Sequence, residues 1–322
     1  MKQILSNKEK YVQFCNANKS VPLFLQPCWM NAVCKKKDWW EVFLFEENRE
    51  IKGVFVCYFT KKMGMKFIIQ PMLSQYNGIW LKYDDQMNHN EKLHFEKKAI
   101  TELIMQLNKS GFDYLNQNFP LNFQNWLPFY WQGYRQTTRY SYQISDISAP
   151  EACFYNFSYA KQKQIRKAGK TLQVTFDMSG KDFYKHLSDY YRAKNEKVTY
   201  SESFFLNLYE ACVNKNQGEI IAVKDLDGTV HAALFVVWDN EKAYNLISTM
   251  HPTYKSSGAS SLVVYEAIKK LSQVVSVFDF EGSMAQNIEN SFSQFGTEQI
   301  SYFNIKKYNS RLAKTVLPHI KL

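Results

Sequence analysis

Three groups of residues have types and spacings that can do chemistry. The first is His251-Pro-Thr-Tyr-Lys255-Ser256-Ser257-Gly258-Ala259-Ser260, a small-residue loop between a strand-like run and a helical one. A loop that opens directly into a helix exposes backbone N–H groups at the helix N-terminus, which suits a phosphate or pyrophosphate, and Lys255 adds a point charge. A serine-rich helix cap has the same composition. The second group is Asp279-Phe280-Glu281-Gly282. Carboxylates two apart on a strand share one face, with Phe278 and Phe280 on the other. A carboxylate there can accept a proton from an attacking amine or hold an ammonium substrate, and Gly282 leaves approach room beside Glu281. Either acid can instead cap the following helix or pair with a lysine. The third group is Lys163, Arg166, Lys167 and Lys170, at i, i+3, i+4 and i+7 of one helix. Such a face can neutralise several phosphates of RNA or of a nucleotide-sugar, and it can equally be a solvated surface. Ile165 and Ala168 form a separate, apolar face for docking.

Other chemistries find little support. His89, His94, His186, His231, His251 and His319 have no metal-ligand spacing, so no metal is expected. There is no Gly-x-Ser-x-Gly elbow, no Gly-x-Gly-x-x-Gly and no Walker loop.

Two sets of elements must position these groups. In the first half, helical patterns at 8–16 and 26–36 precede a hairpin, 41–45 and 51–59. Strands follow at 66–70 and 78–82, then a long amphipathic helix at 91–109, a strand at 113–117, a short helix at 122–131 and a closing strand at 134–144. In the second half, a basic helix at 158–171 leads. Helices at 181–195 and 202–214, the latter capped by Ser201, precede a hairpin at 219–224 and 230–238 that turns on Asp225-Leu-Asp-Gly228. A strand at 242–249, a helix at 260–272, a strand at 276–280, a short helix at 286–294 and a strand at 300–306 complete it. The element order repeats, and so does a motif. Phe129-x-x-x-Gly133-x-x-Gln136 and Phe292-x-x-x-Gly296-x-x-Gln299 both run into an aromatic strand. Duplication predicts two α/β (α+β) domains, 1–148 on the acceptor side and 149–322 on the donor side, with function in the cleft between them. The segment before the first long helix, Asp84-Asp-Gln-Met-Asn-His-Asn90, has no glycine and two carboxylates, so only the second half has a loop suited to an anion.

With 322 residues, each half is long enough for its own core, and 45% hydrophobic with 16% aromatic residues excludes a disordered chain. The charge of +10 and pI of about 9.1 favour an anionic partner or serve solubility. Six scattered cysteines without a Cys-x-x-Cys motif suggest reduced thiols. The first ten residues carry no apolar signal core, and no apolar run nears the ~20 residues of a membrane span. A cytoplasmic protein, at most peripheral to a membrane, is expected.

Lys255-x-x-Gly258-x-Ser260 resembles the (Gln/Arg)-x-x-Gly-x-(Gly/Ala) loop of GNAT acyltransferases, and Asp279–Met284 with Phe292-x-x-x-Gly296 resembles the strand and helix after it. A basic Lys163–Ala168 stretch between two such halves is similar to the FemAB/FemX group, over essentially the whole chain. The resemblance implies two GNAT-like domains, each a mixed, largely antiparallel twisted sheet flanked by helices. It implies N-acyl transfer from an acyl-CoA bound at Lys255, Ser256, Ser257, Gly258, Ala259 and Ser260 to an amine on a small molecule or cell-envelope component. The alternative donor is an aminoacyl-tRNA, with a peptidoglycan (cell-wall) precursor as acceptor, and a third reading is a catalytically silent binder of an anionic ligand. The chain departs from the pattern at Lys255 and Ser260, and at Phe292, where many GNAT enzymes have a tyrosine that protonates the departing thiolate.

Overall fold

Residues 5–319 are described in a computed structural model of the chain; the opening Met1–Ile4 of the expected leaderless start lies outside them. The elements, in chain order, are α1 (Asn7–Ala17), α2 (Pro27–Val33), β1 (Trp39–Glu47), β2 (Glu50–Lys62), β3 (Met65–Ile69), β4 (Gly78–Leu81), α3 (His89–Lys109), β5 (Tyr114–Asn118), α4 (Leu127–Trp131) and β6 (Arg135–Ile144). Then come α5 (Pro150–Asn156), α6 (Tyr159–Thr171), β7 (Gln173–Thr175), α7 (Gly180–Arg192), α8 (Glu202–Val213), β8 (Gly218–Lys224), β9 (Val230–Trp238) and β10 (Lys242–Met250). The chain closes with α9 (Ala259–Leu271), β11 (Val277–Asp279), α10 (Gln286–Phe292), β12 (Glu298–Tyr308) and α11 (Arg311–Val316).

Local chemistry accounts for many of these boundaries. Asn48 and Arg49 both take positive φ, the backbone of a two-residue hairpin turn whose twist matches that of β1 and β2. Ser158, Ser179 and Ser201 each accept a backbone N–H at the start of α6, α7 and α8. The short helix expected at 122–131 is only α4, because Pro128 fits the first turn of a helix and residues 123–126 before it are irregular. α5, β7 and α11 were not expected; each is short and offers little periodicity.

Two compact units result: Met1–Arg139 with Ser301–Leu322, and Tyr140–Ile300. In the first, β1, β2, β3, β5 and β12 lie side by side, with β4 paired to β2. β3 and β5 are parallel and are connected through β4 and α3; the other pairs are antiparallel. α3 buries Phe95, Ala99, Ile100, Leu103, Ile104 and Leu107 on one sheet face, and Tyr11, Val21, Leu25 and Met30 cover part of the other. β2 is therefore buried from Gly53 to Thr60 without alternation, as a two-sided strand should be.

The second unit repeats the plan. β7, β8, β9, β10, β11 and the Tyr140–Ile144 half of β6 lie in that order, and α9 connects the parallel pair β10 and β11. α6 and α9 pack on one face, with Ile165 and Ala168 in the core. Phe183 of α7 and Phe205 of α8 meet Phe235 on the other.

A single cut after residue 148 does not describe these units. Gln143 and Ile144 pair with β11, and Asn304–Tyr308 pair with β5. Each sheet is thus completed by the closing strand of the other half of the sequence. No described helix is long and apolar enough to cross a membrane. All six cysteines are free thiols.

Candidate functional site

The second unit's parallel strands part early. β10 and β11 pair only over Lys242–Tyr244 and Val277–Asp279. Just beyond, β10 changes register against β9 between Tyr244 and Ile247, an irregularity of the bulge kind. β11 ends at Asp279, and Glu281 lies two residues past that end, in the turn that packs against Tyr140 and Ser141 of β6.

Asp279 is fully buried. Its carboxylate accepts hydrogen bonds from Ser141 Oγ at 2.5 Å, Gln143 Nε2 at 2.6 Å and the Glu281 backbone N–H at 2.7 Å. Burial pushes its pKa above the usual carboxylate range, against the pull of these donors and of Lys242. The turn that delivers the Glu281 N–H gives Glu281 a φ of +60°, a conformation L-residues rarely adopt and one that costs on the order of 1–3 kcal/mol.

Glu281 itself is half-buried, and its Oε1 is buried with no hydrogen-bond partner. Burial first, and the neighbouring Asp279 charge second, drive its pKa well above that of an ordinary glutamate. The two acids do not share a strand face, because Glu281 falls past the end of β11. Gly282 does not provide approach room either. A Cβ there would lie 2.0 Å from the Tyr140 carbonyl oxygen and 2.7 Å from Ser141 Cα, so the backbone of β6 fills that space. Phe278 and Phe280 point into the core as expected, and Phe280 joins Phe292 (5.0 Å) and Phe295 (5.2 Å) in an aromatic cluster. Phe292 serves as a packing residue there.

The loop at 255–260 and the basic helix come together. A Cβ on Gly258 (φ +84°) would lie 2.4 Å from the Gln164 carbonyl oxygen of α6, and Ser261 Oγ donates to Gln164 Oε1 at 2.7 Å. In the first turn of α9, the Ala259 N–H donates to Ser257 Oγ and the Ser261 N–H to the Gly258 carbonyl. Among the described residues, the Ser260 N–H is the one of these three with no acceptor. Lys255, Ser256 and Ser260 are exposed; Ser257 is half-buried, and Gly258 and Ala259 are buried. Lys163, Arg166, Lys167 and Lys170 are all exposed on α6.

Sequence reasoning missed three residues. Ser141 and Gln143 anchor Asp279 from β6, a pairing invisible without the topology. Lys161 is buried on α6, donates to Ser291 Oγ at 3.1 Å and lies 4.5 Å over the Phe295 ring, and burial lowers its pKa to about 8. Its spacing was a usable signal: 161, 165 and 168 share the apolar face of the helix. No cluster of three or more His, Cys, Asp or Glu placed to hold a metal occurs among the described residues.

Residues 156–286 match the family model described as Acetyltransferase (GNAT) domain, so the second unit carries an acyltransferase domain of the GNAT type. Among curated proteins, none matches the sequence. The crystal structure of FemX has the same fold, with a TM-score of 0.70 at 10% identity, covering 94% of this chain and 97% of that one. L-PGS from Bacillus licheniformis is similar over 98% and 97% of the two chains (TM-score 0.56, 11% identity). A tandem GNAT protein from the clavulanic acid biosynthesis pathway is similar over 94% and 95% (TM-score 0.54, 9% identity). The fold is thus the FemX-like, tandem-GNAT arrangement of mixed, largely antiparallel sheets flanked by helices.

Proposed function

We propose that this chain, a FemX-like protein with a GNAT acyltransferase domain, transfers an acyl or aminoacyl group to an amine, with Glu281 as the base that receives the amine proton. The observation that carries this reading is the buried, unpartnered Oε1 of Glu281 just past the end of β11, a strand that pairs with β10 only over Val277–Asp279. A carboxylate of raised pKa is a stronger base than an exposed one and is better matched to an ammonium proton. The amine nitrogen attacks the donor carbonyl, one amine proton passes to Glu281, and the bond from carbonyl carbon to the leaving oxygen or sulfur breaks. Water protonates the leaving atom, since Phe292 has no proton to give. Asp279, with its three donors, positions the turn and does not react.

For the donor, the loop favours an aminoacyl-tRNA over an acyl-CoA. Gly258 abuts the Gln164 carbonyl oxygen on its side-chain side, and two of the three first-turn N–H groups of α9 are already committed. Four exposed cations on the adjoining α6 suit the repeated phosphates of an RNA. The acceptor is then an amine of a small molecule or cell-envelope precursor.

Binding of acyl-CoA and of charged tRNA, measured across salt concentrations, tests the choice. Engagement of four phosphates by α6 predicts a slope of log K against log salt of roughly −3, flattened by Lys163→Ala or Lys167→Ala. Salt-insensitive acyl-CoA binding with no affinity for tRNA would restore the thioester reading.

A further inference from the structure

The first unit holds a polar pocket that the acyl-transfer reading leaves unused. β5 alternates: Leu115 and Gln117 are buried in the core, on the α3 side for Leu115, whereas Tyr114, Asn116 and Asn118 face the other way. On that face the register sets Asn118 opposite Asn304 of β12, and a cavity of about 380 Å³ lies over them, within the range of small-ligand pockets.

Asparagine is depleted in strands, yet three line this pocket as one network. Asn304 Nδ2 donates to Asn116 Oδ1 and to Asn118 Oδ1, each at 2.9 Å. The amide orientations follow from a backbone anchor. Asn118 Nδ2 donates to the Gln75 carbonyl at 3.0 Å, a pure acceptor, so Asn118 must turn Oδ1 toward Asn304. Gln70 braces the same residue by accepting the Asn118 backbone N–H at 3.0 Å. Asn304 Oδ1 is left as a fixed acceptor that no donor among the described residues reaches. At the rim stand Lys62 and Arg139, both exposed and in no ion pair among the described residues, and no carboxylate lines the cavity. The pocket therefore combines a positive rim with a preset hydrogen-bond acceptor.

We infer that this pocket binds a small anionic ligand whose carboxylate or phosphate meets Arg139 and Lys62 and whose N–H or O–H donates to Asn304 Oδ1. The inference does not rest on Glu281 or on turnover. Calorimetric titration of the full chain tests it with four probes: N-acetylalanylalanine, its uncharged C-terminal amide, glucose 6-phosphate and acetate. The acid peptide or the sugar phosphate should saturate one site, and whichever does identifies the source of the anion. The uncharged amide should not bind, and acetate, which lacks the donor, should bind at least about tenfold more weakly. Arg139→Gln should weaken binding about tenfold or more without moving the melting temperature. Failure of both anionic probes to saturate a site overturns the inference. So does equal binding of the uncharged amide, or binding indifferent to both Arg139→Gln and Lys62→Gln.

Discussion

Asp279 and Glu281 look interchangeable in the sequence, and three hydrogen bonds separate them. Asp279 is enclosed by Ser141, Gln143 and the Glu281 N–H, so its carboxylate has a structural task. Glu281 Oε1 has no partner and is costly to ionise where it sits. A pH dependence follows, with its sign. The folded-state pKa of Glu281 lies well above the ordinary 4.5, so between 4.5 and the folded-state value the native chain holds a proton that the unfolded chain releases, and the carboxylate that can act as base forms above it. Its contribution to stability is complete below pH 4.5 and is lost as pH rises through the folded-state value. Glu281→Gln, neutral throughout, should melt with the parent in acid and increasingly above it as pH rises, as followed by thermal unfolding from pH 4 to 8. The sequence preference for Glu281 rested on approach room beside Gly282. Gly282 does not make room for substrate; it makes room for the Tyr140 carbonyl, a contact that only the pairing of β6 with β11 creates.

At the scale of elements, the periodic segments were readable and the short ones were not. α3, with Ile100, Leu103, Ile104 and Leu107 all buried, and the β1–β2 hairpin arise from local pattern and turn chemistry. β7 has three residues and α5 seven, too few to show a period. The 255–260 loop shows the limit of motif reading. Its glycine and serines suit a phosphate, yet Ser257 caps α9 and Gly258 admits the α6 backbone. Paired substitutions on these helices test the packing account. Gly258→Ala and Gly282→Ala, each at positive φ and against backbone, should each cost more than about 2 kcal/mol in denaturant unfolding. Gly169→Ala, exposed in the last turn of α6 with nothing within 4 Å, should gain about 0.5 kcal/mol.

Over the whole molecule, duplication was legible because the element order and the aromatic-x-x-x-Gly motif recur, and both Gly133 and Gly296 do take left-handed backbone before a closing strand. Which sheet each closing strand joins was not legible, since strand partners are set by tertiary pairing. That exchange has a structural consequence. Ser141 and Gln143 belong to the first half of the sequence, yet they set the acid at the heart of the second unit. The proposed reaction, acyl transfer to an amine with Glu281 as base, is read out by release of deacylated donor, from charged tRNA and from acyl-CoA, with a panel of amines, for the parent and for Glu281→Gln. Amine-dependent release by the parent is expected, with a loss of about 10²–10⁴-fold in Glu281→Gln and donor affinity unchanged. Parent-like release by Glu281→Gln, or no amine-dependent release by the parent from either donor, would contradict it.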